Sequence, residues 1–176
     1  GYYAMMALEQ GLIGISSTNS QPLVAPTYGR TRLLGTNPIA VAVPAGRNRP
    51  YVLDMATSIV PIGRMTVFKQ RGEEIPAGWG VDGDGHVTTD PAQVLEGGAL
   101  MPLGGVDLMR GYKGYGLALL VDLFCGVLAG AGFGSMVGRA DRPANVGHCF
   151  AAVRLDAFRP AAEFLSDMDV LIDELK

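Results

Sequence analysis

Histidine, cysteine and charged side chains are scarce in this chain, and each scarcity excludes a class of protein. The 176 residues contain only two histidines, His86 and His148, and two cysteines, Cys125 and Cys149. Two cysteines are too few for a disulfide framework, which fits a cytoplasmic location. His148 and Cys149 are adjacent on an expected strand and point to opposite faces, so too few ligands remain for a zinc site. Charged residues make up 18% of the chain, the net charge is −3 and the basic residues are scattered, which disfavours nucleic acid as a partner.

Common nucleotide and membrane signatures are missing too. No G-x-x-x-x-G-K-[ST] stretch exists, which excludes a P-loop. The glycines of 130–134 do not complete G-x-G-x-x-G, because Ser135 and Val137 stand where glycine is required. The first residues do not resemble a secretory signal. The apolar run 116–134 is nearly long enough to cross a membrane, but it contains Asp122, so we predict a buried helix or a subunit contact there and no membrane association.

What the chain does have is 48% hydrophobic residues and 25 glycines, typical of one folded domain rich in tight turns. Its β-rich and helical segments alternate without a strict βαβ rhythm, so we predict an α/β domain with helices packed on a mixed β-sheet. The expected strands are 12–18, 39–46, 50–54 and 147–155. The expected helices are one that stops at Gly11, a short one over 62–71, one over 115–129 that is buried on all sides, and an amphipathic one in AAEFLSDMDVLIDELK. Residues 72–105 are expected to be mostly turns, with a hairpin through the Asp-Gly steps of WGVDGDGHVTTDP. Both ends of the chain look like cuts from a longer protein.

Lys113 directly precedes the apolar run, between glycines and tyrosines. If a helix begins just after it, its ammonium lies at the positive end of the helix dipole, where a cation is unfavourable. A bound anion would reverse this cost. The glycines at 111, 114 and 116 permit close approach to the backbone, and with Lys113 and the first helical N–H groups they would suit a phosphate. The alternative is that Lys113 points into water or pairs with Asp107.

Polar side chains also follow two of the expected strands. The segment SSTNS comes directly after the first strand and offers hydroxyls and an amide, either as a ligand-binding loop or as an ordinary turn. Asp54 ends the third strand, where a carboxylate can accept hydrogen bonds from ribose hydroxyls or cap the segment that follows. Either feature alone leaves both interpretations open.

The chain closely resembles the malate/L-lactate dehydrogenase family of the second type, whose members include ureidoglycolate dehydrogenase, sulfolactate dehydrogenase and piperideine-2-carboxylate reductase. The resemblance lies in segments that follow the family's order over nearly the whole chain: GYYAMMALEQGLIGISSTNSQPLVAP, LLGTNPIAVAVP, VLDMATS, GWGVDGDGHVTTDP, GGALMPLGG, YKGYGLALLVDLFCGVLAGAGFG and NVGHCFAAV. It implies hydride transfer between NAD or NADP and a 2-hydroxy or 2-oxo acid or a cyclic imino acid. It also implies a homodimer and a cofactor-binding fold that is not a Rossmann fold, in agreement with the missing glycine fingerprint.

The resemblance also implies which residues contact the cofactor. These are Ser20 and Asp54, on its ribose and amide portions, Met55 and Ala56, through backbone and packing, and Lys113, on the pyrophosphate. Arg30 and Arg32 are the candidates for binding the 2′-phosphate that distinguishes NADP from NAD. The sequence does not decide which of the two cofactors is used.

The chain departs from the family pattern at both ends. The family's proton-donating histidine lies in an HxG motif ahead of GYY, and neither His86 nor His148 matches it, so no catalytic residue is assigned. The family's last cofactor contacts follow the closing helix. Residues 1–176 are therefore expected to be the cofactor-binding domain of a longer enzyme, with the helix 115–129 as its core or dimer interface. The alternative is a nucleotide- or anion-binding module without redox chemistry.

We expect the 176-residue chain on its own to lack dehydrogenase activity. Hydride transfer to a carbonyl requires a positioned acid to protonate the forming alkoxide, and the expected donor lies upstream. The measurement is oxidation of NADH and NADPH with a panel of 2-oxo acids. Turnover by the isolated chain at the rate of a complete enzyme would contradict this expectation.

Overall fold

The structure is a computed structural model that describes residues 1–106, 109–138, 141 and 143–176. The strands are β1 (Ile13–Thr18), β2 (Ile39–Val43), β3 (Tyr51–Met55), β4 (Gly80–Val81), β5 (Val87–Thr88), β6 (Ala99–Leu100) and β7 (His148–Val153). The α-helices are α1 (Tyr2–Met6), α2 (Gly63–Arg71), α3 (Pro91–Glu96), α4 (Tyr112–Asp122) and α5 (Ala161–Glu174). A π-helical stretch, Leu123–Leu128, follows α4 directly, and 3-10 turns cover Ala7–Gln10, Gly134–Met136 and Leu155–Ala157. The predicted α/β class is confirmed.

The backbone divides into two compact units. The first unit comprises residues 1–17, 39–55 and 149–176, and the second comprises 18–38 and 56–148. A four-stranded sheet in the order β3-β2-β1-β7 belongs mainly to the first unit, and a small sheet in the order β5-β4-β6 belongs to the second. The strands predicted at 12–18, 39–46, 50–54 and 147–155 are therefore present, the third ending one residue later than expected.

In the first unit, α1 packs against the sheet through small residues. The antiparallel register pairs Gly14 with Ala42, and Ala42 is buried with Ala40 and Ala4 of α1. A Cβ atom on Gly14 would lie 1.9 Å from the Ala4 carbonyl oxygen. Glycine at this position therefore allows the close approach of α1. The 3-10 turn that follows α1 ends at Gly11, which has a left-handed conformation, so the helical segment stops where it was predicted to stop.

A buried carboxylate joins α5 to the loop between β2 and β3. The backbone N–H groups of Arg47 and Asn48 donate to Asp169 at 2.8 and 2.9 Å. These hydrogen bonds, that of Arg47 first, hold the pKa of Asp169 below its ordinary value, although burial opposes the shift. Asp173 of the same helix accepts a hydrogen bond from Asn48 Nδ2 at 3.1 Å. The predicted helix is confirmed, and Leu175 of its apolar face is exposed.

The second unit has the largest described core, built from the loop after β1, the helices α2 to α4 and β6. Its fully packed side chains are Val24, Leu34, Met65, Ile75, Val94, Leu100 and Ala118. The hairpin predicted through the Asp-Gly steps is present as β4 and β5, but α3 lies where turns were expected. Asp90 caps α3 by accepting a hydrogen bond from Ala92 N at 2.8 Å, and Pro91 begins it. These are ordinary helix-start signals that a general expectation of turns overlooked.

The prediction that the helix over 115–129 is buried on all sides is wrong for this chain. The helical segment begins at Tyr112, becomes π-helical at Leu123 and buries only one face. The opposite apolar face is between 38% and 73% exposed and consists of Leu117, Leu119, Leu120, Leu123, Phe124, Val127 and Leu128. Hydrophobicity alone could not distinguish a core helix from an apolar surface. Among the described residues, no helix has the length and apolar character needed to cross a membrane.

We expect Asp169→Asn to lower the thermal unfolding temperature at neutral pH, because an amide cannot accept both backbone hydrogen bonds as a carboxylate does. Since the folded-state pKa of Asp169 is lowered, its contribution to stability is present above the ordinary pKa of 3.8 and is lost as the pH falls through the folded value. The difference between the variant and the unmodified protein should therefore shrink as the pH falls below 3.8. Calorimetry across this range is the measurement. The control is Asp167→Asn, whose exposed pair with Arg159 contributes little, and a pH-independent difference for Asp169→Asn would contradict the expectation.

Candidate functional site

Two fully buried side chains, Asn37 and Thr57, organise the predicted cofactor residues of the second unit. Thr57 N donates to Thr36 O at 2.9 Å, its hydroxyl donates to Asn37 O at 3.0 Å, and its carbonyl accepts a hydrogen bond from Leu103 N at 2.8 Å. Asn37 has a positive φ of 36°, which asparagine tolerates better than most residues. We refer to Thr36, Asn37, Thr57 and Leu103 as the Thr57 frame.

Ser20 is attached to this frame through its backbone and its side chain. Its N–H donates to Asn37 Oδ1 at 3.2 Å, and its hydroxyl oxygen accepts a hydrogen bond from Thr36 N at 3.1 Å. A Cβ on Gly35 would lie 2.2 Å from the Ser20 hydroxyl oxygen, so glycine is required beside it. The hydroxyl is thus fixed in position while its hydrogen remains able to donate to a ligand.

Lys113 lies in the first turn of α4, which begins at Tyr112 and carries no acidic residue there. Its side chain is exposed. Within the described ranges its ammonium has neither an ion pair nor a hydrogen bond, and the alternative partner Asp107 lies outside those ranges. A cation therefore sits at the positive end of a helix without a compensating carboxylate among the described side chains.

The three glycines around Lys113 have different surroundings. Cβ atoms on Gly111 and Gly114 would lie 1.9 Å from Gly105 O and 2.3 Å from Leu103 O. The close backbone approach predicted at these two glycines is thus made by the protein's own loop. At Gly116 a Cβ would have no atom within 4 Å. The Lys113 N–H also has an intrachain acceptor, Arg110 O at 3.1 Å. Of the phosphate site expected from Lys113, the three glycines and the first helical N–H groups, the lysine side chain and the open surface near Gly116 therefore remain available to a ligand.

Ala56 and Lys113 are connected through the frame. Ala56 precedes Thr57, and the backbone of Leu103, which donates to Thr57 O, packs closely against Gly114 of α4. The side chain of Asn37 additionally donates from Nδ2 to the carbonyl of Ala118 in α4 at 2.9 Å. Ser20, Ala56 and Lys113 are thus all attached to the Thr57 frame, which serves as their common hydrogen-bonded support within the second unit.

Asp54 and Met55 are the last residues of β3, in the first unit. In the antiparallel register they lie opposite Ala40 and Ile39. The Asp54 side chain is 56% exposed, and its carboxylate accepts a hydrogen bond from the amino nitrogen of Gly1. Asp54 therefore presents an accessible acceptor at a strand end, and a polypeptide segment joined to Gly1 would begin beside it.

The two arginine candidates for a 2′-phosphate have other contacts. The Arg32 guanidinium donates to the carbonyls of Gly98, Val94 and Leu95 at 2.6 to 2.9 Å, which caps the carboxyl end of α3. These three hydrogen bonds commit much of the Arg32 guanidinium to the fold. Arg30 is exposed and lies 3.8 Å from Asp84.

The histidines lie in a hairpin and at a strand start. His86 follows the β4–β5 turn, where its backbone N–H and that of Asp84 donate to Asp82 Oδ1, both at 2.9 Å. These bonds, that of His86 first, lower the pKa of Asp82. His148 begins β7 and is exposed. Across the part of the chain that the structure describes, no group of His, Cys, Asp and Glu side chains is arranged to hold a metal ion.

Sequence reasoning missed the buried polar residues that support the site. Asn19, Asn37 and Thr57 are completely buried and Asp122 is 5% exposed. From the sequence, Asn19 was placed in a ligand-binding loop or an ordinary turn, Asn37 was given no functional role, and Asp122 served only as an argument against a membrane helix. The sequence signal that could have found them is a polar residue next to an apolar strand or helix. Such a residue can be buried when hydrogen bonds satisfy it.

The comparisons with known proteins agree with the predicted family and fold class. The model of the malate/L-lactate dehydrogenase family matches residues 1–176. The chain belongs to that family.

The individual relatives differ in their named activities. The chain is 49% identical over 178 residues to a malate dehydrogenase of Pyrococcus abyssi, a match that covers all of this chain and 49% of that protein. It is 44% identical over 125 residues to a Δ1-pyrroline-2-carboxylate/Δ1-piperideine-2-carboxylate reductase of Pseudomonas putida, covering 71% of this chain and 35% of the reductase. The solved sulfolactate dehydrogenase of Methanocaldococcus jannaschii superimposes with a TM-score of 0.88 at 38% identity, over 100% of this chain and 49% of that structure. The chain thus spans about half the length of the malate dehydrogenase and the sulfolactate dehydrogenase.

We expect Gly114→Ala and Gly116→Ala to have opposite effects on stability. A Cβ at residue 114 would collide with the Leu103 backbone and should destabilise the protein by about 1–3 kcal/mol. At residue 116 the added methyl meets nothing within 4 Å and should stabilise the helix by about 0.5–1 kcal/mol. Urea unfolding of the two variants, each the control for the other, is the measurement, and equal effects would contradict the close packing at Gly114.

Proposed function

We propose that the protein, in its full length, is an NAD(P)-dependent oxidoreductase that transfers hydride between the nicotinamide cofactor and a small 2-oxo or 2-hydroxy acid or a cyclic imino acid. Relatives named as malate dehydrogenase, sulfolactate dehydrogenase and cyclic imino acid reductase support this reaction class. The observation that carries the proposal is the exposed Lys113 ammonium, held on the same support as Ser20 and Ala56. A dinucleotide pyrophosphate is the anion with matching charge.

The chemistry of the predicted residues fits a dinucleotide. Lys113 supplies a cation for the pyrophosphate, and the hydroxyl of Ser20 supplies a fixed hydrogen-bond donor. Asp54 offers the carboxylate that ribose hydroxyls require, and Met55 and Ala56 offer backbone and packing contacts. When bound, the nicotinamide supplies or accepts the hydride. The described residues bind and orient it, and their role is positioning, which is effective because the polar support beneath them is already formed.

The proton donor is proposed to come from outside residues 1–176. Reduction of a carbonyl requires an acid that protonates the forming alkoxide. His86 lies in the β4–β5 hairpin and His148 at the start of β7, and neither is assigned this role.

We also propose that the exposed apolar face of α4 and its π-helical continuation is the interface of a homodimer. The face consists of the leucines, Phe124 and Val127 described above, and large contiguous apolar surfaces on folded chains commonly mark contacts with other chains. In the sequence this segment was already the candidate for core or interface. Its exposure in the single chain favours the interface.

We expect Lys113→Met to weaken the binding of both NADH and NADPH by the full-length protein, by roughly ten- to a hundredfold, the range for loss of a charge-assisted hydrogen bond. Fluorescence titration of both reduced cofactors is the measurement. Lys69→Met is the matched control, because Lys69 pairs with Glu96 on the surface of α2 and α3. Unchanged affinity in Lys113→Met would place the pyrophosphate elsewhere, and binding without turnover of any 2-oxo acid or cyclic imine would favour the anion-binding module without redox chemistry.

A further inference from the structure

Asp122 is a buried acidic side chain for which neither the fold nor the proposed reaction gives an obvious use. It is 5% exposed at the end of α4. Its carboxylate accepts two hydrogen bonds, from Asn19 Nδ2 at 3.2 Å and from Gly134 N at 2.7 Å. Among the described residues no cation pairs with it. Burial of a carboxylate with neutral donors only is costly, and here each of its two oxygens is used as an acceptor.

Asn19 is the residue that Asp122 holds in place. Besides its bond to Asp122, Asn19 Nδ2 donates to Gly132 O at 2.7 Å, and Asn19 Oδ1 accepts a hydrogen bond from Gly147 N at 2.9 Å. Both donor hydrogens and the amide oxygen of Asn19 are therefore in use, and the side chain is fully buried. Its orientation is fixed by partners on three sides, one of which is the acidic group on α4.

The loop that carries Ser20 is thereby attached to α4 at two points. Asn19 reaches the side chain of Asp122, and Asn37, which binds Ser20 N, reaches the carbonyl of Ala118. Positions 118 and 122 are one helical turn apart and share a face of α4. Lys113 lies in the first turn of the same helix. The position of Ser20 relative to Lys113 is therefore set by α4.

We propose that Asp122 is a positioning residue that acts through Asn19 to hold Ser20 at a fixed distance from Lys113 for a bound dinucleotide. The inference rests on the proposed function and deepens it. A carboxylate suits the role because both of its oxygens accept, one from Asn19 and one from Gly134. An asparagine at 122 would turn its NH2 group towards one of these two donors and break the match.

The test compares Asp122→Asn with Cys125→Ala in the full-length protein. Cys125 is fully buried one turn further along, so its truncation controls for a general loss of stability. We expect Asp122→Asn to weaken NADH binding in fluorescence titrations by roughly tenfold, because a displaced contact group costs affinity steeply. It should also raise the KM for NADH while the KM for the oxidised substrate stays unchanged. Cys125→Ala should lower the unfolding temperature and leave the affinity for NADH unchanged.

The double variant Asn19→Asp with Asp122→Asn provides the rescue. It exchanges the donor and the acceptor between the two positions. The introduced amide on α4 would donate from its NH2 group to the introduced carboxylate on the loop, while the amide oxygen accepts from Gly134 N. The bond to Gly132 O is lost and that carbonyl faces a carboxylate oxygen instead, so the rescue is expected to be partial. We expect the double variant to bind NADH more tightly than Asp122→Asn and more tightly than Asn19→Asp, in which two carboxylates face each other.

Three results would overturn the proposal. If Asp122→Asn lowers the unfolding temperature but binds NADH as the unmodified protein does, Asp122 only stabilises the fold and the proposed function stands. If neither the single nor the double variant folds, Asp122 is likewise assigned to the fold. If the unmodified protein binds neither NADH nor NADPH, the proposed function itself fails, and the positioning role fails with it.

Discussion

The positions of the predicted cofactor residues in the second unit depend on two buried amide side chains that are hydrogen-bonded to one helix. Asn19 and Asn37 follow and precede neighbouring strands, and each donates a hydrogen bond to α4, at Asp122 and at Ala118. Because the donors and acceptors are buried, leaving any of them unpaired costs far more than an exposed hydrogen bond is worth. This makes the spacing between the loops and the helix a fixed property of the fold.

Close backbone packing at the start of α4 also fixes the position of this helix relative to the loops of the second unit. Gly111 and Gly114 let the helix contact the loop 103–105 directly, and that loop is bonded in turn to Thr57. The support leaves three groups near its surface, namely the Ser20 hydroxyl, the backbone at Ala56 and the Lys113 ammonium. A site placed on rigid elements needs little reorganisation when it binds a ligand, which is the property that a cofactor-binding surface requires.

The sequence predicted the fold class, the main strands and the closing helix, because alternation and glycine stops are local signals. It did not predict α3, although Asp90 and Pro91 signal a helix start. It also did not predict which face of α4 and its π-helical continuation is buried, since every residue of 117–128 except Asp122 and Gly126 is apolar. Arg32 was one of two candidates for a 2′-phosphate, and nothing near it in the sequence reveals that it caps a helix beginning about 60 residues later. The amides of Asn19 and Asn37 could not be placed because the partners of their NH2 groups are 81 to 113 residues away. Local motifs identified candidate binding residues, whereas their support consists of long-range hydrogen bonds.

The most direct test of the account is a crystal structure of the full-length protein with NADH or NADPH bound. The account predicts that the pyrophosphate lies within hydrogen-bonding distance of Lys113 Nζ, with Ser20 on the same ligand and the bonds of Asn19 and Asn37 to α4 unchanged. A dinucleotide bound away from the start of α4, or bound there only after Asn19 and Asn37 have released the helix, would contradict it.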